Sequence, residues 1–178
     1  MGKDILIHTC CADCFLNATA YLLEKNIIDI NTNVVSYFFN PNIHPRSEYQ
    51  ARLGALKKTI STLDKMSIKL VVPDYKPAIY MYLVKENLNS RCKICWRLRL
   101  EESFKYAEEN NIKDITSTML TSNYLNREAI LEVAKELKNE YKINFIALDN
   151  QCNCLHHGFY KQNYCGCCFS LTEKMICK

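Results

Sequence analysis

The sequence predicts an α/β protein of the Rossmann-like, doubly wound kind: a mainly parallel five-stranded sheet with a cysteine-rich C-terminal tail. Two observations predict it. Short apolar, β-branched or aromatic runs alternate with longer segments of helical periodicity, which implies crossover connections and parallel strands. Only four glycines and four prolines occur in 178 residues, and no linker, repeat or low-complexity tract is visible. The chain 1–178 therefore reads as a single α/β domain, with the tail 150–178 packing on it.

Asp4–His8 (DILIH) reads as a short buried strand, and Thr9 to Asp13 turns the chain. Cys14–Lys25 carries Phe15, Ala18, Leu22 and Leu23 near helical spacing, with Asp13 placed to N-cap that helix. Asn33–Phe39 (NVVSYFF) is a second strand, broken by Asn40-Pro41-Asn42. Ser47–Met66 is helical, with Leu53, Leu56, Ile60 and Leu63 on one face. Ile68–Val72 is a third strand. Helices follow over Pro77–Asn87 and from Cys92 to about Asn110. Asp114–Leu120 is a fourth strand, Arg127–Glu140 a strongly periodic helix and Asn144–Leu148 a fifth strand. The tail from Asn150 is irregular and turns helical after Cys168. In such a sheet ligands sit beyond the carboxyl ends of the strands. The loop after the first strand lies there, and in this chain it is His8-Thr9-Cys10-Cys11-Ala12-Asp13-Cys14.

A chain of this length buries roughly 70% of its unfolded surface without staples, so its eleven cysteines need another reason. The opening MGKDILIHTCC has no cleavage pattern, and no run approaches the ~20 apolar residues of a membrane span. The expectation is a cytoplasmic protein with no membrane partner, where grouped cysteines point to metal or redox chemistry. The formal net charge of +4 permits a nucleic-acid partner without demanding one.

The cysteines fall into three groups: Cys10, Cys11 and Cys14 after the first strand; Cys92 and Cys95 at a helix start; Cys165, Cys167 and Cys168 in the tail. Cys152, Cys154 and Cys177 are scattered, with buried inert thiols as their default reading. Residues three apart on a helix share a face, so Cys92 and Cys95 can aim at one point. Cys10 and Cys11 can present two sulfurs from the other side, and four thiolates hold either a tetrahedral zinc or a cubane cluster. Arg91 or Arg97 nearby favours thiolates. Spacing alone suits structural zinc equally; position at the sheet's open end favours catalysis. Cys165-Gly166-Cys167 reads either as a labile dithiol, since a disulfide across so small a loop would be strained, or as the completion of a metal site.

These residues resemble a known family. His8-Thr9-Cys10-Cys11-Ala12-Asp13-Cys14 resembles the H-x-C-C-A-P-C signature of the cobalamin-independent epoxyqueuosine reductases, QueH. Tyr37-Phe38-Phe39-Asn40-Pro41-Asn42-Ile43-His44-Pro45 with Glu48-Tyr49 and Arg52 is similar to a second block of that family. Arg91-Cys92-Lys93-Ile94-Cys95 with Arg97-Leu98 is similar to a third, and Tyr160, Gln162, Tyr164-Cys165-Gly166-Cys167 and Ser170 to a closing block. Asp13 and Asn123 stand where the family usually has proline, and Cys168 adds a thiol beside the tail pair.

The resemblance implies a HUP-like fold and a [4Fe-4S] cluster whose ligands fall on Cys10, Cys11, Cys92 and Cys95. It places a redox-active pair on Cys165 and Cys167, and one additional iron ion beside the cluster. The implied substrate is tRNA carrying epoxyqueuosine at the wobble position, reduced to queuosine with electrons from an unidentified donor. His8, His44 and Asp13 are candidate proton donors. Tyr37, Tyr49, Trp96, Tyr124, Tyr160 and Tyr164 are available for stacking, and Arg46, Arg52, Arg91 and Arg97 for phosphate. Sulfur transfer on the same fold would want a glycine- and serine-rich pyrophosphate loop, which this chain lacks. The non-enzymatic alternative is a zinc-stabilised RNA-binding module.

Overall fold

The computed structural model describes residues 3–149, 157–160 and 163–176. Gln162, Cys152, Cys154 and Cys177, all weighed above, lie outside the described residues.

The elements run in order as strand β1 (Asp4–His8), helix α1 (Ala12–Glu24), β2 (Asn33–Tyr37), α2 (Arg46–Ile60), β3 (Ile68–Val71), α3 (Pro77–Val84), α4 (Arg91–Glu109), β4 (Asp114–Ser117), α5 (Arg127–Tyr141), β5 (Asn144–Phe145) and α6 (Cys168–Ile176). The five strands form one sheet in the order β3-β2-β1-β4-β5, every pair parallel. Parallel strands need crossovers, and right-handed crossovers running opposite ways from β1 put the helices on opposite faces. Accordingly α1 packs with α2, and α4 with α5. Ile5, Leu6 and Ile7 of β1 are wholly buried because both faces of this central strand are covered. Phe15 and Leu22, Leu56, and Leu100 with Phe104 supply the facing layers from α1, α2 and α4.

Chain order reverses between β1 and β4, whose ends pair His8 with Ser117. That switch point opens the crevice where such sheets bind ligands. The turn after β1 is tied to the turn after β4: the Cys10 amide donates to Thr118 Oγ1 at 3.0 Å.

Several boundaries differ from expectation, those of β4, β2 and α2 because a polar side chain ends the element. Strand β4 stops at Ser117, not Leu120, because Ser117 Oγ accepts from the Met119 amide and turns the chain into a 3₁₀ turn over Thr118–Thr121. Strand β2 stops short of Phe39, since Asn40 donates to the Thr9 carbonyl and accepts from Arg99, drawing the chain across the crevice. Helix α2 ends at Ile60, before Met66, where Ser61 and Thr62 hydroxyls satisfy the carbonyls of Lys58 and Thr59. Strand β5 is only Asn144–Phe145, continued by one ladder bond from the Ile146 amide to Ile115. Leu23 is 38% exposed, because it stands beside the Phe15–Ala18–Leu22 stripe, one residue round the helix.

Asp13 is not the N-cap of α1. The helix begins at Ala12, and Cys11 caps it, its sulfur accepting from the Cys14 amide at 3.4 Å. Asp13 sits buried in the first turn, where its carboxylate accepts from the His157 amide at 3.2 Å and so fastens the tail. Farther on, the Gly166 carbonyl accepts from the His44 amide at 2.8 Å. The chain then enters α6, whose start is capped by Cys167: its carbonyl accepts from the Leu171 amide and its sulfur from the Ser170 amide.

Candidate metal and redox centre

The sulfurs of Cys10, Cys11 and Cys14 lie within 4.8 Å of one another, all buried, a spacing at which one metal ion can be held. Their position follows from the fold: β1 delivers Cys10 to the switch point, and the first turn of α1 brings Cys14 back over Cys11. In this structure Cys11 and Cys14 are joined as a disulfide. Cys11 would be free to hold a metal only once that bond is reduced. Cys10 is a free thiol, and its sulfur accepts from the Thr118 hydroxyl at 3.2 Å.

Cys92 and Cys95 occupy the first turn of α4, Cys92 exposed and Cys95 buried. Among the described residues neither belongs to the tight three-sulfur group. Cys95 instead packs with Tyr80 and Val84 of α3 and with Cys167. Cys165 links the two groups. It lines a cavity of about 70 Å³ together with Cys10, Cys11, Cys14, Arg99 and Tyr124. Its charge is also felt at Cys92 and at Cys95. Cys165 thus shares a cavity with Cys10 and Cys11, while Cys95 and Cys167 pack in a neighbouring cluster of which Cys165 is also part.

Burial decides the protonation of these thiols. It pushes Cys95 up to about 11, against the opposing charge of Arg99, and it raises Cys92 against the opposing charge of Arg91. Both are neutral thiols near pH 7, and a bound cation is what would turn them into thiolates. Cys165 and Cys167 behave oppositely to each other. Their sulfurs are 3.6 Å apart. The hydrogen bond between them lowers the Cys165 pKa to about 5 and raises that of Cys167. The pair therefore holds one proton between two sulfurs, as a reactive dithiol does.

His8 is wholly buried, and burial followed by the charge of Arg99 keeps its pKa well below the usual histidine range. One ring nitrogen lies 3.2 Å from the Phe39 carbonyl, which only an N–H can satisfy, so Nε2 carries the proton and Nδ1 accepts from Ser117 Oγ at 2.9 Å. His8 is thus a neutral brace between β1, β2 and β4. His44 is half-buried near Tyr80, and burial lowers its pKa too.

Of the aromatics available for stacking, Tyr37, Tyr49 and Trp96 are core, whereas Tyr124 and Tyr160 are exposed and Tyr124 and Tyr164 line the cavity. Arg52 is buried against Glu48, Arg97 is held by Glu101, Glu136 and Glu140, and Arg91 pairs with Glu173, so only Arg46 remains an open surface arginine of the four. Sequence reasoning missed Arg99. Its spacing could have found it: Cys92, Cys95 and Arg99 stand at i, i+3 and i+7 on one helix face.

The profile of the family described as "Epoxyqueuosine reductase QueH" matches residues 5–173. The chain belongs to the QueH family. It is 30% identical to the epoxyqueuosine reductase QueH of Dehalococcoides mccartyi, over 98% of this chain and 96% of that one. The protein of the same name from Staphylococcus epidermidis is 28% identical, over 97% of this chain and 78% of that one. The one from Thermotoga maritima is 26% identical, over 96% and 91%. This QueH chain is accordingly an oxidoreductase, which decides against a non-catalytic zinc module.

The residues of this QueH site fit a thiolate-held metal group. Arg99 is 3% exposed and places its guanidinium beside Cys95, yet its Nε has no hydrogen-bond partner among the described residues; Arg91 Nε beside Cys92 is in the same position. Buried cationic donors left over next to sulfurs are what an anionic, thiolate-ligated centre would use. Among the described residues no helix is long and apolar enough to cross a membrane.

Proposed function

We propose that this chain reduces epoxyqueuosine to queuosine at the wobble position of tRNA anticodons, the last step of queuosine biosynthesis, using a [4Fe-4S] cluster and the Cys165/Cys167 pair. The observation that carries the reading is the placement of Cys165, which lines one cavity with Cys10 and Cys11 and is felt electrostatically by Cys92 and Cys95. Cys10, Cys11, Cys92 and Cys95 are the proposed ligands, Cys11 after reduction of its bond to Cys14. A cluster so held supplies or accepts electrons singly.

The remaining chemistry belongs to this chain's own residues. Converting an epoxide to an alkene consumes two electrons and two protons and releases water. The pair holds one proton, so closing to a disulfide releases two electrons and one proton; with the second proton drawn from solvent, the Cys165/Cys167 pair balances one turnover. A donor outside this chain must then reopen the disulfide. The shared proton of the pair lies beside the cavity, where it can serve as the acid for the epoxide oxygen. His8 cannot, since its only N–H is committed to the Phe39 carbonyl. An anticodon base must be splayed out to reach the cavity, and Tyr124, 52% exposed at its rim, is placed to stack on it.

The test is direct. Oxygen-free protein with a chemical reductant and no cobalamin is incubated with tRNA carrying epoxyqueuosine, and nucleosides are read by mass spectrometry. Appearance of queuosine supports the reading. Its absence from protein with full iron and sulfide content counts against it.

A further inference from the structure

The loop that carries both redox sulfurs is anchored from outside itself. Glu48 and Arg52, one turn apart on α2, form a buried ion pair, with Arg52 Nε donating to Glu48 Oε1 at 2.6 Å and both side chains under 8% exposed. From this pair the guanidinium reaches into the tail. Its two terminal nitrogens donate to the carbonyls of Cys165 and Tyr164 at 3.4 and 3.5 Å, and its plane lies over the Tyr164 ring. The other carboxylate oxygen of Glu48 accepts from the Tyr160 hydroxyl at 2.6 Å. A two-residue ion pair thus holds the tail at 160 and again at 164–165.

Gly166 shows how close this hold is. It adopts φ +105°, a conformation that suits glycine, and a methyl group there would sit 3.0 Å from the Arg52 guanidinium. The glycine between the two cysteines is therefore needed on two counts: for its backbone, and because the guanidinium occupies the space a side chain would take. Lysine could replace the charge but not the planar fork that meets two carbonyls.

We propose that Arg52 is a positioning residue for the Cys165/Cys167 pair, acting from α2 through the backbone of the loop between them. With the loop held, the two sulfurs stay in contact and closing to a disulfide needs little reorganisation. Without it, the loop relaxes and the two thiols meet less often. This rests on the reading of the pair as the redox couple, but its test does not depend on turnover.

The readout is the equilibrium constant for Cys165-SH + Cys167-SH + glutathione disulfide giving the Cys165–Cys167 disulfide and two glutathione thiols. It is measured on oxygen-free, as-isolated protein by alkylation and peptide mass spectrometry. Arg52→Gln is expected to lower it on the order of tenfold, the scale at which lost orientation of reacting groups shows, and Arg52→Lys to recover part of the loss. Glu48→Gln with Arg52→Gln removes both buried charges together, so no unpaired ion threatens folding, and it too should show the drop. Gly166→Ala leaves the ion pair intact and presses on it from the loop side, with the same expected direction. A wild-type constant in either the doubly neutral variant or Gly166→Ala overturns the proposal. Loss of turnover in Cys167→Ser speaks only to the pair's redox role, so the two claims fail separately.

Discussion

Glu48→Gln is the sharpest structural perturbation available. The Glu48 and Arg52 side chains are 7% and 5% exposed, so solvent screens them little. Removing the carboxylate charge strands a buried guanidinium, and breaking such a pair costs about 3–5 kcal/mol. Against a total stability of ~5–15 kcal/mol this is a large fraction. At roughly 2–4 °C per kcal/mol for a chain of this size, the midpoint should fall by about 6–20 °C. The glutamine can still accept from Tyr160, so the loss reports the ion pair rather than that hydrogen bond. Arg97→Gln is the control: its partners Glu101, Glu136 and Glu140 form an exposed network, worth about 0–1 kcal/mol. Thermal melts of both variants by circular dichroism separate the cases. A Glu48→Gln midpoint within 2 °C of wild type, or equal to that of Arg97→Gln, would refute the claim that this pair is buried and structural.

Three other outcomes are expected. Cys167→Ser should keep its iron and sulfide while turnover stops; unchanged turnover removes the dithiol from the reaction. Tyr124→Ala should weaken binding of epoxyqueuosine-containing tRNA by roughly 5- to 150-fold, the equivalent of ~1–3 kcal/mol for one stacked base, with Tyr124→Phe near wild type in the same binding titration. In reduced, metal-free protein the raised Cys95 pKa makes the folded state hold its proton more tightly than the unfolded one. Stability is therefore full below about pH 9 and declines as pH rises toward about 11, by on the order of 3 kcal/mol; urea melts across that range that stay flat, or that match Cys95→Ala, contradict it.

Much of this architecture was legible from residues alone, and the reason is local. Asp4–His8 reads as a strand because its apolar run is short, continuous and followed by turn residues, and Arg127–Glu140 reads as a helix because its apolar stripe is regular, the helix running one residue further to Tyr141. The alternation of such segments then dictates a parallel sheet, and topology alone puts Cys10 and Cys11 at the switch point. What escaped depends on contacts between distant segments. The capping of α1 by Cys11 rather than Asp13 becomes visible only with His157 occupying the Asp13 carboxylate. The arginines Arg52, Arg91 and Arg97 look free in sequence, and each is claimed by a glutamate in the fold. Thr118, whose hydroxyl meets the Cys10 sulfur, carries no signal in the sequence, because the link spans 108 residues.

The account stands on sulfurs from the β1 turn and the start of α4 holding one iron–sulfur group. Iron and acid-labile sulfide are to be quantified in oxygen-free protein, alongside Cys95→Ala. The account predicts brown wild-type protein with iron and sulfide in equal amounts, both lost in the variant. Colourless wild-type protein containing zinc alone, or a Cys95→Ala protein with undiminished iron and sulfide, would contradict it.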